Sequence, residues 1–138
     1  ADFQETSSAT PTYNCIAWAA GNNARWWWPS SVNYWPPGVP RKRTLDAFVE
    51  AYATLGFQPC ANDSLEIGYE KIAVYADASG KPTHAALQLA SGWWTSKLGQ
   101  MADIVHATLA CLEAREYGYV ATFLVRQRSD ELQASDGC

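Results

Sequence analysis

Two histidines and four cysteines limit the imidazole and thiol chemistry open to this chain. An imidazole mechanism must use His84 or His106, and a thiol mechanism must use Cys15, Cys60, Cys111 or Cys138. Cys15 stands out by its setting. It follows Asn14, an acceptable N-cap, and opens a run of helix-forming residues that Gly21 and Asn22 stop. A thiol at a helix start meets free N–H groups and the positive end of the helix dipole, both of which favour the thiolate. Trp18 falls one turn later on the same side, where it can flank a substrate. His84 comes about seventy residues downstream, near the start of an expected strand. A helix-borne Cys followed by a strand-borne His is the order in which one broad class of thiol hydrolases supplies nucleophile and base. The His takes the thiol proton, and backbone N–H groups at the helix start hold the oxyanion. The plainer alternative is a structural thiol, because free Cys is among the most buried residue types and Ile16 and Ala17 follow it.

A third group must orient His84, and the residues leave two registers open. A two-residue turn at Ser91-Gly92 pairs Ala90 with Trp93, hence Ala86 with Lys97 and Gln88 with Thr95. A three-residue turn slips the register and puts Ser96 on the face that carries His84. Asp103, in the loop that follows, is the better electrostatic partner for an imidazolium. Lys97 is either a binder of a substrate carboxylate or a solvated strand residue. His106 either makes a second polar pair with Asp103 or is a half-buried residue near a helix start. No CxxC or Cys/His pair has zinc spacing, so neither metal nor cofactor is expected. A nucleophilic Cys15 must stay unbridged. That leaves Cys60 with Cys111 as the internal pair, and Cys138 unpaired in a polar tail.

These residues need elements to hold them. Residues 1–12 are small and polar and read as a loose arm, and residues 129–138 read as a polar tail. Between them, 13–128 form one α+β domain. Thr44 caps an amphipathic helix in which Leu45, Phe48, Val49 and Tyr52 recur at i, i+3, i+4 and i+7, with Gly56 past its end. The segment from Pro29 to Pro40 holds four prolines and cannot be helix or central strand, yet Tyr34, Trp35 and Val39 mark it as a packed loop. Residues 57–64 read as turns. Strands are expected at Ile72–Tyr75, Thr83–Leu89, Trp93–Leu98 and Tyr117–Val125, with a helix at Val105–Glu113. Helices first and hairpin strands after predict N-terminal helices packed on an antiparallel sheet.

The stretches YNCIAWAAG, WPPGVPR, LDAFVEAYATLGFQPC, KIAVYADASGKPTHAALQLASGWWTSKLG, DIVH and EYG are similar to a family of small bacterial proteins. That family resembles papain-fold peptidases related to the NlpC/P60 and CHAP amidases. The likeness runs from about Tyr13 to Arg126. It implies a papain-like (NlpC/P60-like) fold with Cys15 as nucleophile and His84 as general base. Papain-like peptidases place an oxyanion-hole Gln six residues before the Cys, and that position here is Ala9. Asn14 is the nearest substitute. In such amidases the orienting group comes from the next strand, about a dozen residues past the His, which selects Ser96 under the resemblance.

Composition excludes other classes. Hydrophobic residues are 48% and charged residues 17% of 138, which rules out intrinsic disorder. A net charge of −4 argues against a nucleic-acid partner, and no apolar run reaches the ~20 residues of a membrane span. The chain opens on Ala1 rather than Met without a signal-peptide pattern, so its start is expected to come from processing or excision, and compartment and oligomeric state stay open. Seven tryptophans, five of them between Trp18 and Trp35, divide between packing an irregular loop and lining a groove. Trp26, Trp27 and Trp28 cannot all point inward.

Three functions compete. The first is an amide-cleaving thiol hydrolase acting on a peptide or peptidoglycan-like substrate. The second is a noncatalytic, Trp-rich binding module. The third is a papain-fold acyltransferase or deamidase. The discriminator is a Cys15 sulfur within about 4 Å of a His84 ring nitrogen, in a cleft that reaches solvent.

Overall fold

Helix α1 (Cys15–Ala19) starts where its cap allows. Asn14 is extended (φ −115°, ψ −178°) and its side-chain oxygen accepts the Ala17 N–H. Helix α2 (Leu45–Ala53) begins the same way, with the Thr44 side chain accepting from Ala47 N–H. The Tyr52 hydroxyl donates to the Ile16 carbonyl at 2.8 Å and joins the two helices. The computed structural model describes residues 3–5, 12–97, 103–112 and 118–128.

Among the described residues seven strands follow or flank the helices: β1 (Phe3–Glu5), β2 (Gln58–Cys60), β3 (Tyr69–Ala76), β4 (Pro82–Gln88), β5 (Trp94–Lys97), β6 (Asp103–His106) and β7 (Tyr119–Gln127). They form one sheet in the order β1-β6-β5-β4-β3-β7-β2, and every neighbouring pair is antiparallel. The fold is α+β, helices before most strands, as the element order predicts. Among the described residues no helix is long and apolar enough to cross a membrane.

Four expectations are corrected. Part of the loose arm is strand, because residues 3–5 pair with β6 at one edge of the sheet. Within the turn-rich stretch, Gln58–Cys60 pair with β7 at the other edge, where Pro59 needs no second ladder partner. The helix expected from Val105 is instead the end of β6 followed by a 3₁₀ turn at Leu109–Leu112. Short apolar runs carry no decisive period, and pairing with β5 settles this one as strand. Cys60 is a free thiol, so it forms no bridge with Cys111; its sulfur lies 3.6 Å from the Asn62 carbonyl. Residues 129–138, with Cys138, lie outside the described residues.

Strand alternation divides the interior in two. Ile72, Val74, Ala85 and Leu124 face the helices and join Cys15, Ile16, Phe48 and Tyr52 in one core. Ala73, Tyr75, Ala86, Trp94 and Ile104 face the opposite way and meet Leu109 of the 3₁₀ turn. Of the tryptophan triplet, Trp27 is buried and its two neighbours are half-buried. Trp35 is buried against Phe48 and closes the proline loop by donating its indole N–H to the Pro40 carbonyl at 2.9 Å. Gly118 leads into β7 with φ +77°, and a Cβ there would collide with the Ala76 carbonyl.

Candidate functional site

Cys15 occupies the first position of α1, and the helix lies over β4 and β5. The residue is 7% exposed and belongs to the helix-side core. Burial pushes the thiol up to about 11, against the pull of the Ala85 and Ile16 backbone N–H groups and the more distant charge of Lys97. A five-residue helix supplies little dipole, so desolvation wins. At neutral pH Cys15 is a thiol.

The residues around it are committed to structure. Asn14 accepts from Ala17 N–H at 3.1 Å and Trp27 N–H at 3.0 Å, and its own amide donates to the Trp27 carbonyl at 2.7 Å. Both ends of the carboxamide therefore cap α1 and pin the tryptophan segment. Trp18 stacks on Tyr13 (5.4 Å between centroids) and donates its indole N–H to Thr95 Oγ1 at 2.9 Å. Lys97 is buried with its ammonium 5.3 Å from the centre of the Tyr13 ring. Its backbone pairs with Asp103 across β5 and β6, while the Asp103 side chain lies outside the described residues.

His84 is elsewhere. The β4–β5 register pairs Leu87 with Thr95 and Gln88 with Trp94 around a turn in which Gly92 N–H donates to the Leu89 carbonyl. This is the three-residue slip, and it sets Ser96 on the His84 face. His84 pairs with Tyr75 across β3 and β4 and meets that ring edge-on at 5.2 Å. Tyr75 and Ala86 belong to the core on the side away from the helices. Cys15 belongs with Val74 and Ala85 to the helix-side core; these are one residue along each strand, and so through the sheet. The structure brings His84 to Ser96 and does not bring it to Cys15.

What His84 does join is a buried hydrogen-bonded chain. His84 Nε2 lies 3.0 Å from Ser96 Oγ, which lies 2.8 Å from His106 Nε2, and His106 Nδ1 lies 2.9 Å from the Thr108 carbonyl. A carbonyl only accepts, so His106 carries its proton on Nδ1 and accepts at Nε2. Ser96 must then donate to His106 and accept from the Nε2–H of His84. Every proton in the chain is assigned by that one carbonyl. Burial holds the His84 imidazole down to about 3, and it also lowers His106. Both are neutral in the folded protein at pH 7. All three side chains are fully buried.

A cavity of about 340 Å³ opens on this side, lined by residues that include Asp63, Trp94, Thr108, Leu109 and Phe123. Neither imidazole nor Ser96 lines it. Sequence reasoning gave His106 either a polar pair with Asp103 or a half-buried place, and missed its bond to Ser96. It also missed Tyr75, which donates to the Leu109 carbonyl at 2.8 Å and walls in His84. Parity along β4 and β5 was the available signal, but it required the turn length. Among the described residues no group of three His, Cys, Asp or Glu side chains could hold a metal ion.

No curated protein and no solved structure matches this sequence. A family model, the domain of unknown function DUF7689, matches residues 4–125, which span nearly all of α1, α2 and the sheet. The chain therefore belongs to the DUF7689 family.

Proposed function

We propose that this chain is a noncatalytic binding domain in which Cys15 is a structural thiol and the sheet is a rigid support for the tryptophan-rich loop. The observation that carries the reading is the position of Cys15 and His84 on opposite faces of one sheet. A dyad needs direct contact, and strand alternation separates these side chains by the thickness of the backbone layer. The protonated state of the thiol supports the same reading. The exposed apolar side chains Val32, Leu65, Ile67 and Tyr119 supply surface on which a partner can settle.

The test is alkylation of the intact chain with iodoacetamide, mapped by mass spectrometry between pH 5 and 9. Cys60, half-buried at the sheet edge, is expected to react at an ordinary rate and Cys15 at least tenfold more slowly. His84→Ala is expected to leave the Cys15 rate unchanged wherever the variant stays folded. Fast alkylation of Cys15 below pH 8 that depends on His84 would sink the reading.

A papain-like thiol hydrolase is the second reading. It is favoured by the Ile16 and Ala85 backbone N–H groups that act on the sulfur. It requires a base other than His84, and Lys97 is the titratable side chain that acts on the thiol from the same face.

A further inference from the structure

Charge is divided unevenly along this chain. From Thr6 to Leu45 there is no Asp or Glu, while Arg25, Arg41, Lys42 and Arg43 all fall inside that stretch. The remainder holds six Lys or Arg against fourteen Asp or Glu, a net of −8 beside a local +4. All four cations sit on the loop between α1 and α2, and all four are exposed.

The fold sets two of them over aromatic side chains. The Arg25 guanidinium lies 3.9 Å from the centre of the Tyr34 ring, and that of Arg43 lies 5.5 Å from the Trp28 ring. Arg41 Nη1 donates to the Ser30 and Asn33 carbonyls at 2.6 and 3.1 Å, so two guanidinium groups converge on the turn between Ser30 and Tyr34. Val32, 86% exposed, stands at that turn. The ion pairs among the described residues join Lys71 to Glu66, and Arg126 and Arg128 to Glu70; none involves the four loop cations. Arg43 acts on Asp77 only at longer range and is anchored by donating to the Pro82 carbonyl. Three of these cations are held in place by rings and carbonyls, and none of the four pairs with a carboxylate among the described residues, so they are poised for an external anion.

We propose that the 25–43 loop docks a short acidic segment of a partner polypeptide. Arg25, Arg41 and Lys42 take its carboxylates, and an apolar side chain of the partner rests on Val32 and the flanking indoles. A short segment fits better than nucleic acid, because a long polyanion would run off the loop onto a body carrying −8. The proposal deepens the binding-domain reading and rests on it.

The experiment pans a random dodecapeptide display library on the full chain. Selected peptides are then synthesised and titrated by fluorescence anisotropy. Enrichment of Asp and Glu beside an apolar residue is expected, with affinity that weakens as salt rises. Lys42 makes no side-chain hydrogen bond or ion pair among the described residues; Lys42→Glu is expected to weaken binding about threefold, and Arg25→Glu with Lys42→Glu at least tenfold. Circular dichroism checks that each variant folds. Peptides without acidic enrichment, no selected peptides at all, or affinity indifferent to Lys42→Glu and the double variant would each overturn the proposal. So would tighter binding of single-stranded decathymidine than of the selected peptides. These outcomes leave the alkylation of Cys15 relative to Cys60 untouched, whereas failure of the binding-domain reading appears there as fast, His84-dependent alkylation.

Discussion

The two faces of the sheet handle reactive side chains in opposite ways. On the helix side Cys15 is buried in a core that includes Ile16, Val74, Ala85 and Phe48, and burial keeps its proton on. On the far side two imidazoles and a hydroxyl form a chain that ends on a backbone carbonyl, and burial keeps both imidazoles neutral. One face keeps a thiol protonated by desolvation; the other links two imidazoles through a hydroxyl. Residue types that suggest one catalytic pair when read together lie on two faces of a sheet, with a backbone layer between them, which is the arrangement the binding-domain reading rests on.

Acid should separate the faces most strongly. The folded pKa of His84 is depressed, so the unfolded chain takes up the proton first as pH falls. Its contribution is complete above about pH 6.5 and is lost progressively toward pH 3, at about 1.4 kcal/mol per pH unit. His106 shifts in the same direction and adds to the slope. Urea unfolding at pH 7 and pH 4 is expected to differ by about 3 kcal/mol or more. Equal stability at the two pH values would mean that the imidazoles reach water.

Ser96→Ala comes next. It removes the one hydroxyl between two buried Nε2 atoms and is expected to cost about 3 kcal/mol in chemical denaturation. The variant also sharpens the comparison, because Cys15 alkylation should not change; a large change would show the faces to be coupled. On the helix side, Asn14→Ala removes a cap and the clamp on Trp27, for about 2 kcal/mol. Asn14→Asp keeps the acceptor and loses the donor to Trp27, so it should fall between Asn14→Ala and the parent. Smallest is Cys15→Ala, at about 1 kcal/mol, because only one sulfur atom leaves a core that retains its rings. A cost as large as that of Ser96→Ala would show that the thiol has partners beyond packing.

Much of this arrangement was legible before any tertiary contact. Asn14 and Thr44 are capping residues followed by helix formers, and local hydrogen bonding alone starts both helices there. The 3.6-residue period of Leu45, Phe48, Val49 and Tyr52 and the turn glycines that bound the hairpins likewise act over a few residues. The short edge strands were not legible. Phe3–Glu5 and Gln58–Cys60 have no periodicity of their own and exist because β6 and β7 offer unpaired edges. Local sequence also named the reactive residues, because thiol, imidazole and hydroxyl are properties of the side chains. Only the tertiary structure decided which of them meet. Face depends on register, register on the length of one turn, and a slip of one residue carries Ser96 to His84, while the pairing of β3 with β4 turns His84 toward Tyr75 and away from Cys15.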